Sequence, residues 1–331
     1  LASNQSWLEN CEDQKTIEDR MMILPLADRF PDHFGDDPFW NESVWFSIAK
    51  PDEKINGIIH YYFRPNMNML NGGPILWQPH NHSFWNCMFH DWAHLQPVPA
   101  GAEKFNMTAR NSLSVKVLEP LTRYAIAYDN HGCTIDLLWE AIGPMHELRT
   151  EDPEQASKAK FHIEQPGRMT GTIALHDRVI PIDCLSMRDA SSGPREYGNK
   201  VASGSYFWGI AQDSCFHAIT MGEGPLHRMM GGFIWKDGVM SSLVSGTRQA
   251  VEFGRYGPSK VVVEATDKLG RSVTLHGRVE QGLIHTGYTS HTVVWSQAEW
   301  EWDGVTHWGE HQEFCGAERF RQIARGDITL G

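Results

Sequence analysis

The 331-residue chain has no long apolar run; its longest are a few residues, such as Val261 to Val263, where a helix crossing a bilayer needs roughly 18. No membrane span is expected. Positive charge is also short: 29 Lys plus Arg stand against 41 Asp plus Glu, a formal net charge of −12. That balance opposes extended contact with phosphate backbones, so nucleic acid is not an expected partner. The six cysteines, Cys11, Cys87, Cys133, Cys184, Cys215 and Cys315, form no Cys-x-x-Cys pair, which counts against a zinc knuckle or a thioredoxin-like redox site. Low-complexity tracts and short-period repeats are missing too. What is abundant is His, at 17, and Trp, at 13. Both join a large flat or titratable surface to one polar handle.

Four Asn-x-Ser/Thr acceptors occur, at Asn4, Asn41, Asn81 and Asn106, above the roughly one or two that chance would place. The chain opens Leu1-Ala2-Ser3-Asn4 without Met, as a processed chain does. Together these lead to the expectation of a secreted, extracellular glycoprotein.

Periodicity of two dominates. Leu113, Val115 and Val117 alternate with polar Ser112, Ser114 and Lys116, and Ile135, Leu137 and Trp139 alternate with Thr134, Asp136 and a second Leu, as half-buried strands do. Val273 and Leu275 repeat the pattern in the second half, and turn signals recur at Asp129-Asn130, Asp177-Arg178, Lys236-Asp237-Gly238 and Lys268-Leu269-Gly270. This texture predicts an all-β fold of meandering antiparallel sheets or barrels. Helical signals are few and short: Ile17 to Leu24 before Pro25, Asp152-Pro153-Glu154 with a proline at the first helical position, and a closing helix over 317–325. The polar stretch 151–160 divides two strand-rich halves, which places one domain over 1–160 and a second over 161–331.

Two constellations carry candidate chemistry. The denser is Pro79-His80-Asn81-His82-Ser83-Phe84-Trp85-Asn86-Cys87-Met88-Phe89-His90-Asp91-Trp92-Ala93-His94. On a strand His80 and His82 share a face, and on a helix His90 stands beside His94. A cupin-type metal site wants Glu three or four residues after the His-x-His pair, where Trp85 and Asn86 stand. A zincin wants Glu next to the first His of its helix, where Asp91 stands. Imidazole and aromatic groups lining a cleft or packing at a barrel mouth is the favoured reading, with metal ligation kept as the alternative. The second constellation is Arg188-Asp189-Ala190-Ser191-Ser192-Gly193-Pro194-Arg195, followed by Glu196 and Tyr197. A carboxylate between two guanidinium groups is either a structural ion-pair knot or an oriented acid at the edge of a pocket.

That second string resembles the Arg-Asp-x-Ser-Trp-Gly-x-Arg signature of the two-domain, lipocalin-like superfamily that includes carotenoid 1,2-hydratases and AttH-type proteins, with Ser192 in place of its Trp. His307-Trp308-Gly309-Glu310-His311-Gln312-Glu313 is similar to the superfamily's closing Gly-x-x-Glu strand, and Glu42-Ser43-Val44-Trp45-Phe46-Ser47-Ile48 to its opening strand. The resemblance implies two lipocalin-like antiparallel β-barrel or sandwich domains with a few short helices. Within it, the secreted fungal branch of the kievitone hydratase type, which hydrates prenyl side chains of isoflavonoids, fits the sequons and the acidic charge.

Such a reaction needs an acid strong enough to protonate carbon, then capture of the tertiary cation by water. A carboxyl group in an apolar pocket keeps its proton because desolvation penalises the anion, and indole faces stabilise a passing cation by about 0.5–2 kcal/mol each. Candidate acids are Asp189, Asp91 and Glu310. Candidate substrate-binding residues are His82, His90, Tyr62, Trp85, Trp92 and Arg188, with Trp77, Trp208 and Trp235 extending the aromatic wall. The reaction needs no metal or organic cofactor, the expected partner is a small hydrophobic phenolic or isoprenoid substrate, and a homodimer stays open. Three other classes compete with the hydratase: a non-catalytic carrier of hydrophobic ligands, an isomerase or cyclase acting through the same acid, and a metal enzyme.

Overall fold

Alternating apolar residues build two bodies of antiparallel sheet in the computed structural model, which describes residue 25 and residues 27–79, 81–148, 161–195, 203–288 and 291–328. The expected helices over 17–24 and at Asp152, together with Asn4, Cys11 and His80, lie outside these residues. The first body is a twelve-stranded sheet. It comprises β1 (Trp40–Lys50), β2 (Ile55–Arg64), β3 (Met69–Trp77), β4 (Phe89–His90), β5 (Ala93–Gln96), β6 (Met107–Thr108), β7 (Ser114–Glu119), β8 (Arg123–Asn130), β9 (Cys133–Ala141), β10 (His146–Glu147), β11 (Phe161–Leu175) and β12 (Arg178–Pro194). Its main path runs β4-β3-β2-β1-β12-β11-β9-β8-β7-β6, with β5 on β3 and β10 on β11.

The second body is a closed barrel of eight strands in sequence order. They are β13 (Gly204–Ile210), β14 (Ser214–Met221), β15 (Leu226–Lys236), β16 (Val239–Phe253), β17 (Pro258–Asp267), β18 (Ser272–Tyr288), β19 (His291–Trp302) and β20 (Val305–Gly316). Closure by the β13–β20 pairing leaves no free edge. Helix α1 (Ala317–Arg325) follows β20, over the span expected from sequence. No helix among the described residues is long and apolar enough to cross a membrane.

The first sheet curls. Phe46 of β1 and Tyr124 of β8 are four strand spacings apart along the path, roughly 19 Å in a flat sheet, yet their ring centroids are 5.9 Å apart. Inside the curl lie Val44, Phe46, Ile59, Tyr61, Ile126, Leu137 and Trp139. The indole of Trp139 lies so close over β11 that a Cβ at Gly167 would strike it. A second core, with Trp45, Ile58, Trp77, Met187, Trp208, Phe233 and Trp295, fills the interface between sheet and barrel, and a third, around Phe207, Val261 and Trp300, fills the barrel.

The division expected at 160/161 does not match the sheets. Strands β11 and β12 pair with β9 and β1 of the first sheet, so the change of body comes between Pro194 and Gly204. The strands on either side of the polar stretch 151–160, whose own residues are not described, belong to one sheet.

Candidate functional site

Period-two geometry turns one set of polar side chains from the first sheet toward the barrel. Across β2, β1, β12 and β11, His60, Trp45, Asp189 and Glu164 stand opposite one another in a row. The next row is Tyr62, Ser43, Ser191 and His162. Their chain neighbours Phe46, Ile163 and Ala190 point the other way, into the first core. From the barrel, β13 presents Tyr206 and Trp208, β14 His217, β19 Trp295, and β20 Glu310 and Gln312, while Phe207 and His311 stack inside it. Between the bodies lies a cavity of about 160 Å³, lined by Asn41, Ser43, Trp45, His60, Tyr62, His162, Asp189, Ser191, Arg195, Tyr206, Trp295 and Gln312.

The titratable groups at this wall are linked. His162 Nε2 hydrogen-bonds Asp189 Oδ2 and lies 3.1 Å from Glu164 Oε1. The Tyr206 hydroxyl donates to Glu164 Oε2 at 2.8 Å, and His217 Nε2 stands 3.5 Å from Glu164 Oε1. Side-chain exposure is 0% for Glu164, 14% for Asp189 and 17% for His162, so Glu164 sits behind the wall that the other two form. Burial and then the charge of Asp189 push the Glu164 carboxyl up to about 8, against the pull of His162 and Tyr206. Burial also acts upward on Asp189, but the charge and hydrogen bond of His162, and the Glu164 carboxyl, outweigh it and hold Asp189 below the ordinary range. His162 is lowered by burial yet raised to about 9 by its carboxylate partners, Asp189 first. Burial, with the charges of His162 and His146, pushes His217 well down.

Near neutral pH these directions leave Glu164 protonated, Asp189 ionised, His162 charged and His217 neutral. Carboxyl groups this strongly linked titrate as a pair, so one proton belongs to Glu164 and Asp189 together. His162, Glu164 and Asp189 are also the grouping among the described residues whose ligand atoms, all within 4.8 Å of one another, could hold a metal ion. A divalent ion there would displace the protons they share.

Of the residues singled out from sequence, Asp189 and Tyr62 line this cavity. Glu310 lies at the same interface two residues from Gln312, whose Nε2 donates to Glu310 Oε2 at 3.1 Å; burial pushes its carboxyl up to about 8. Trp92 is buried behind the wall, its ring 5.3 Å from His60 and 6.3 Å from Tyr62. Trp77 stacks on Trp295 and Trp208 meets the edge of Trp45, so both support the lining, and Trp235 is part of the interface core.

The others are elsewhere. Asp91 accepts hydrogen bonds from Tyr128 at 2.7 Å and Asn111 at 3.2 Å, a clasp outside the cavity; the strand passes so close that a Cβ at Gly73 would strike its carbonyl oxygen. Arg188, one residue from Asp189, points into the first core. There it pairs with Asp28 at 2.9 Å, donates to Gln165 at 2.7 Å, and lies 4.6 Å from the Tyr124 ring centroid. Trp85 is 83% exposed. The histidines divide: the His82 ring packs beside Tyr256 and the His90 ring beside Phe84, while His94 lies beside Trp92 and, with His90, adds to the burial that pushes His285 down. Among the sequons, Asn106 is exposed and Asn81 half-buried, but Asn41 is 3% exposed and faces the cavity, which leaves no room for a glycan. The five described cysteines are free thiols.

Sequence reasoning missed His162, Glu164, Tyr206 and Trp295. For the first two a signal was present: Phe161-His162-Ile163-Glu164 alternates apolar and ionisable residues, as a strand with one functional face does.

An open antiparallel sheet packed on an eight-stranded barrel, with ionisable groups held between them, defines a two-part, lipocalin-like β protein. The chain belongs to the family described as a domain of unknown function, DUF7064, which matches residues 25–314. No curated protein matches it significantly. Among solved structures it is similar to a candidate AttH from Nitrosomonas europaea, with TM-score 0.59 and 13% identity over 86% of this chain and 95% of that one. It is also similar to CghA solved with Sch210972, with TM-score 0.56 and 11% identity over 84% and 89% of the two chains. A second structure of CghA matches at TM-score 0.56 and 11% identity, over 83% and 88%. At such identities the likeness is one of fold, and it agrees with the AttH-type resemblance of the sequence motifs.

Proposed function

We propose that this protein is an enzyme, a cofactor-independent hydratase that adds water across the prenyl double bond of a prenylated isoflavonoid or a similar isoprenoid. The observation that carries this reading is the Glu164–Asp189 pair, which keeps one proton up to about 8 at the wall of an aromatic cavity. Environments that push two neighbouring carboxyl pKa values apart mark acid–base sites. Glu164 stores the proton out of contact with the ligand, and Asp189, which lines the cavity, delivers it. The π pair of the alkene takes the proton, leaving a tertiary cation among Trp45, Tyr62 and Trp295 beside two carboxylates. A water oxygen then attacks the cation and its proton returns to the pair, so the product is a tertiary alcohol and the pair is unchanged. His162 stays charged throughout and holds Asp189 in place. CghA solved with Sch210972 supports the reading that this fold accommodates a ligand.

Incubation with a panel of prenylated isoflavonoids is expected to give a product heavier by one water. A product of unchanged mass would instead assign an isomerase or cyclase, and recovery of every compound unaltered would overturn the enzymatic reading. The pH dependence is also set. Because the pair must carry its proton, kcat/KM should stay level near neutrality and fall as pH rises through about 8, tenfold per unit beyond it. In Glu164→Gln the limb should move down to the ordinary Asp range of about 4 or below, since Asp189, still beside His162, alone then holds the proton. A limb that stays in place would remove Glu164 from this role.

A second reading rests on the three ligand atoms within 4.8 Å of one another: a metal-activated water at His162, Glu164 and Asp189. Stoichiometric zinc or iron in the purified protein, lost in His162→Ala, would favour it over proton storage.

A further inference from the structure

Three buried cations among the described residues are answered by carboxylates. Arg188 pairs with Asp28, Lys104 with Glu42 at 2.8 Å, and Arg248 with Glu313 at 2.8 Å. Arg195 is different. It is half-buried, lines the cavity, and its guanidinium donates to the Ser191 hydroxyl at 3.1 Å; among the described residues no carboxylate pairs with it. Nor do the groups around it balance its charge. His60 and His291 are both lowered chiefly by burial, with Arg195 adding to the shift, so both are neutral near pH 7. Asp189 is answered by His162. Among the described residues, the cavity therefore carries a net positive charge inside a chain whose formal net charge is −12.

Size points the same way. At about 160 Å³ the cavity is smaller than the roughly 300–1,000 Å³ that encloses a drug-sized ligand. It holds the reacting end of a molecule and leaves the rest toward its rim. Ser191 Oγ, which accepts from Arg195, lies 2.6 Å from Ser43 Oγ, and the buried Asn41 Oδ1 has no partner among the described residues. Arg195, Ser191, Ser43 and Asn41 thus make a polar strip beside the aromatic wall.

Resting on the reading of this cavity as a ligand site, we propose that its ligand is an organic acid, an apolar isoprenoid chain ending in a carboxylate or a comparably acidic oxygen, and that Arg195 binds the anionic end. A guanidinium takes a carboxylate through two parallel N–H···O bonds, which fixes orientation as well as charge. The apolar tail then extends along Trp45 and Trp295 toward Asp189.

Geranic acid and geraniol share one chain and differ in the end group, so they separate the charge from the tail. Titrated at pH 7 against tryptophan fluorescence, the wild-type protein should bind geranic acid at least about tenfold more tightly than geraniol. Arg195→Gln should abolish that preference, and Arg195→Lys should retain part of it. Raising the ionic strength should weaken geranic acid alone. Equal affinities in the wild type, binding of neither compound, or a preference that survives Arg195→Gln would overturn the proposal. Binding needs no turnover: a protein that selects geranic acid through Arg195 yet hydrates nothing would retire the hydratase reading and keep this one, and a hydratase indifferent to the acid would do the reverse.

Discussion

Asp189→Asn is expected to lower kcat/KM for hydration by about 10²- to 10⁴-fold, the contribution of a positioned acid, with the circular dichroism spectrum unchanged. An amide has no proton to deliver to the alkene. It does fit the same space, and its oxygen accepts the His162 Nε2 hydrogen that Asp189 now accepts. Because the Asp189 side chain faces the cavity and not the first core, its loss should leave packing intact. Near-normal turnover by the folded variant would move the proton to Glu310, a buried carboxyl at the same interface that is also raised to about 8.

Arg188→Met, one residue away, should show the opposite behaviour. Its guanidinium is buried against Asp28 at 2.9 Å among the rings of Phe105, Tyr124 and Trp139. Removing one member of a buried pair leaves the other charge uncompensated and costs about 3–5 kcal/mol. The urea midpoint should fall accordingly, while the surviving folded molecules keep kcat/KM near the wild-type value. Adding Asp28→Asn should recover much of the loss, since deleting both charges is far less costly than deleting one. The amide oxygen introduced by that second substitution would still accept from the Tyr124 hydroxyl, which now reaches Asp28 at 2.6 Å. A loss below about 1 kcal/mol in the single variant would show that the first core does not depend on this pair.

The contrast between these neighbours also shows what could be read from the chain. Alternation at Leu113–Val117 and Ile135–Trp139 reports a strand with one buried face, and the segments fall at β7, which begins at Ser114, and within β9. The Arg-Asp string flagged a site, but not which of its two charges belongs to it, because that depends on which face of β12 meets the barrel. His162 and Glu164 were illegible as partners of Asp189 for the same reason: strand register, set by long-range pairing, puts Glu164 opposite Asp189 and His162 opposite Ser191, one step along the same face. Tyr206 and Trp295 arrive through packing of the barrel on the sheet, which no local pattern encodes. The histidine-rich segment misled in the other direction, since His90 and His94 fall on two short strands, β4 and β5, and not on one helix face, and its most conspicuous indole, Trp85, lies in solvent.

The cavity draws its walls from two bodies with separate duties. In the proposed cycle proton handling belongs to β11 and β12 of the sheet, with Tyr206 reaching across to Glu164, whereas Trp295 and Gln312 come from the barrel and exchange no proton. Diversification can therefore proceed on one side while the other is preserved. Combinatorial libraries restricted to positions 295 and 312 are the economical route to new ligand preferences, and divergent members of the family should differ most in those barrel strands while sharing the acid pair.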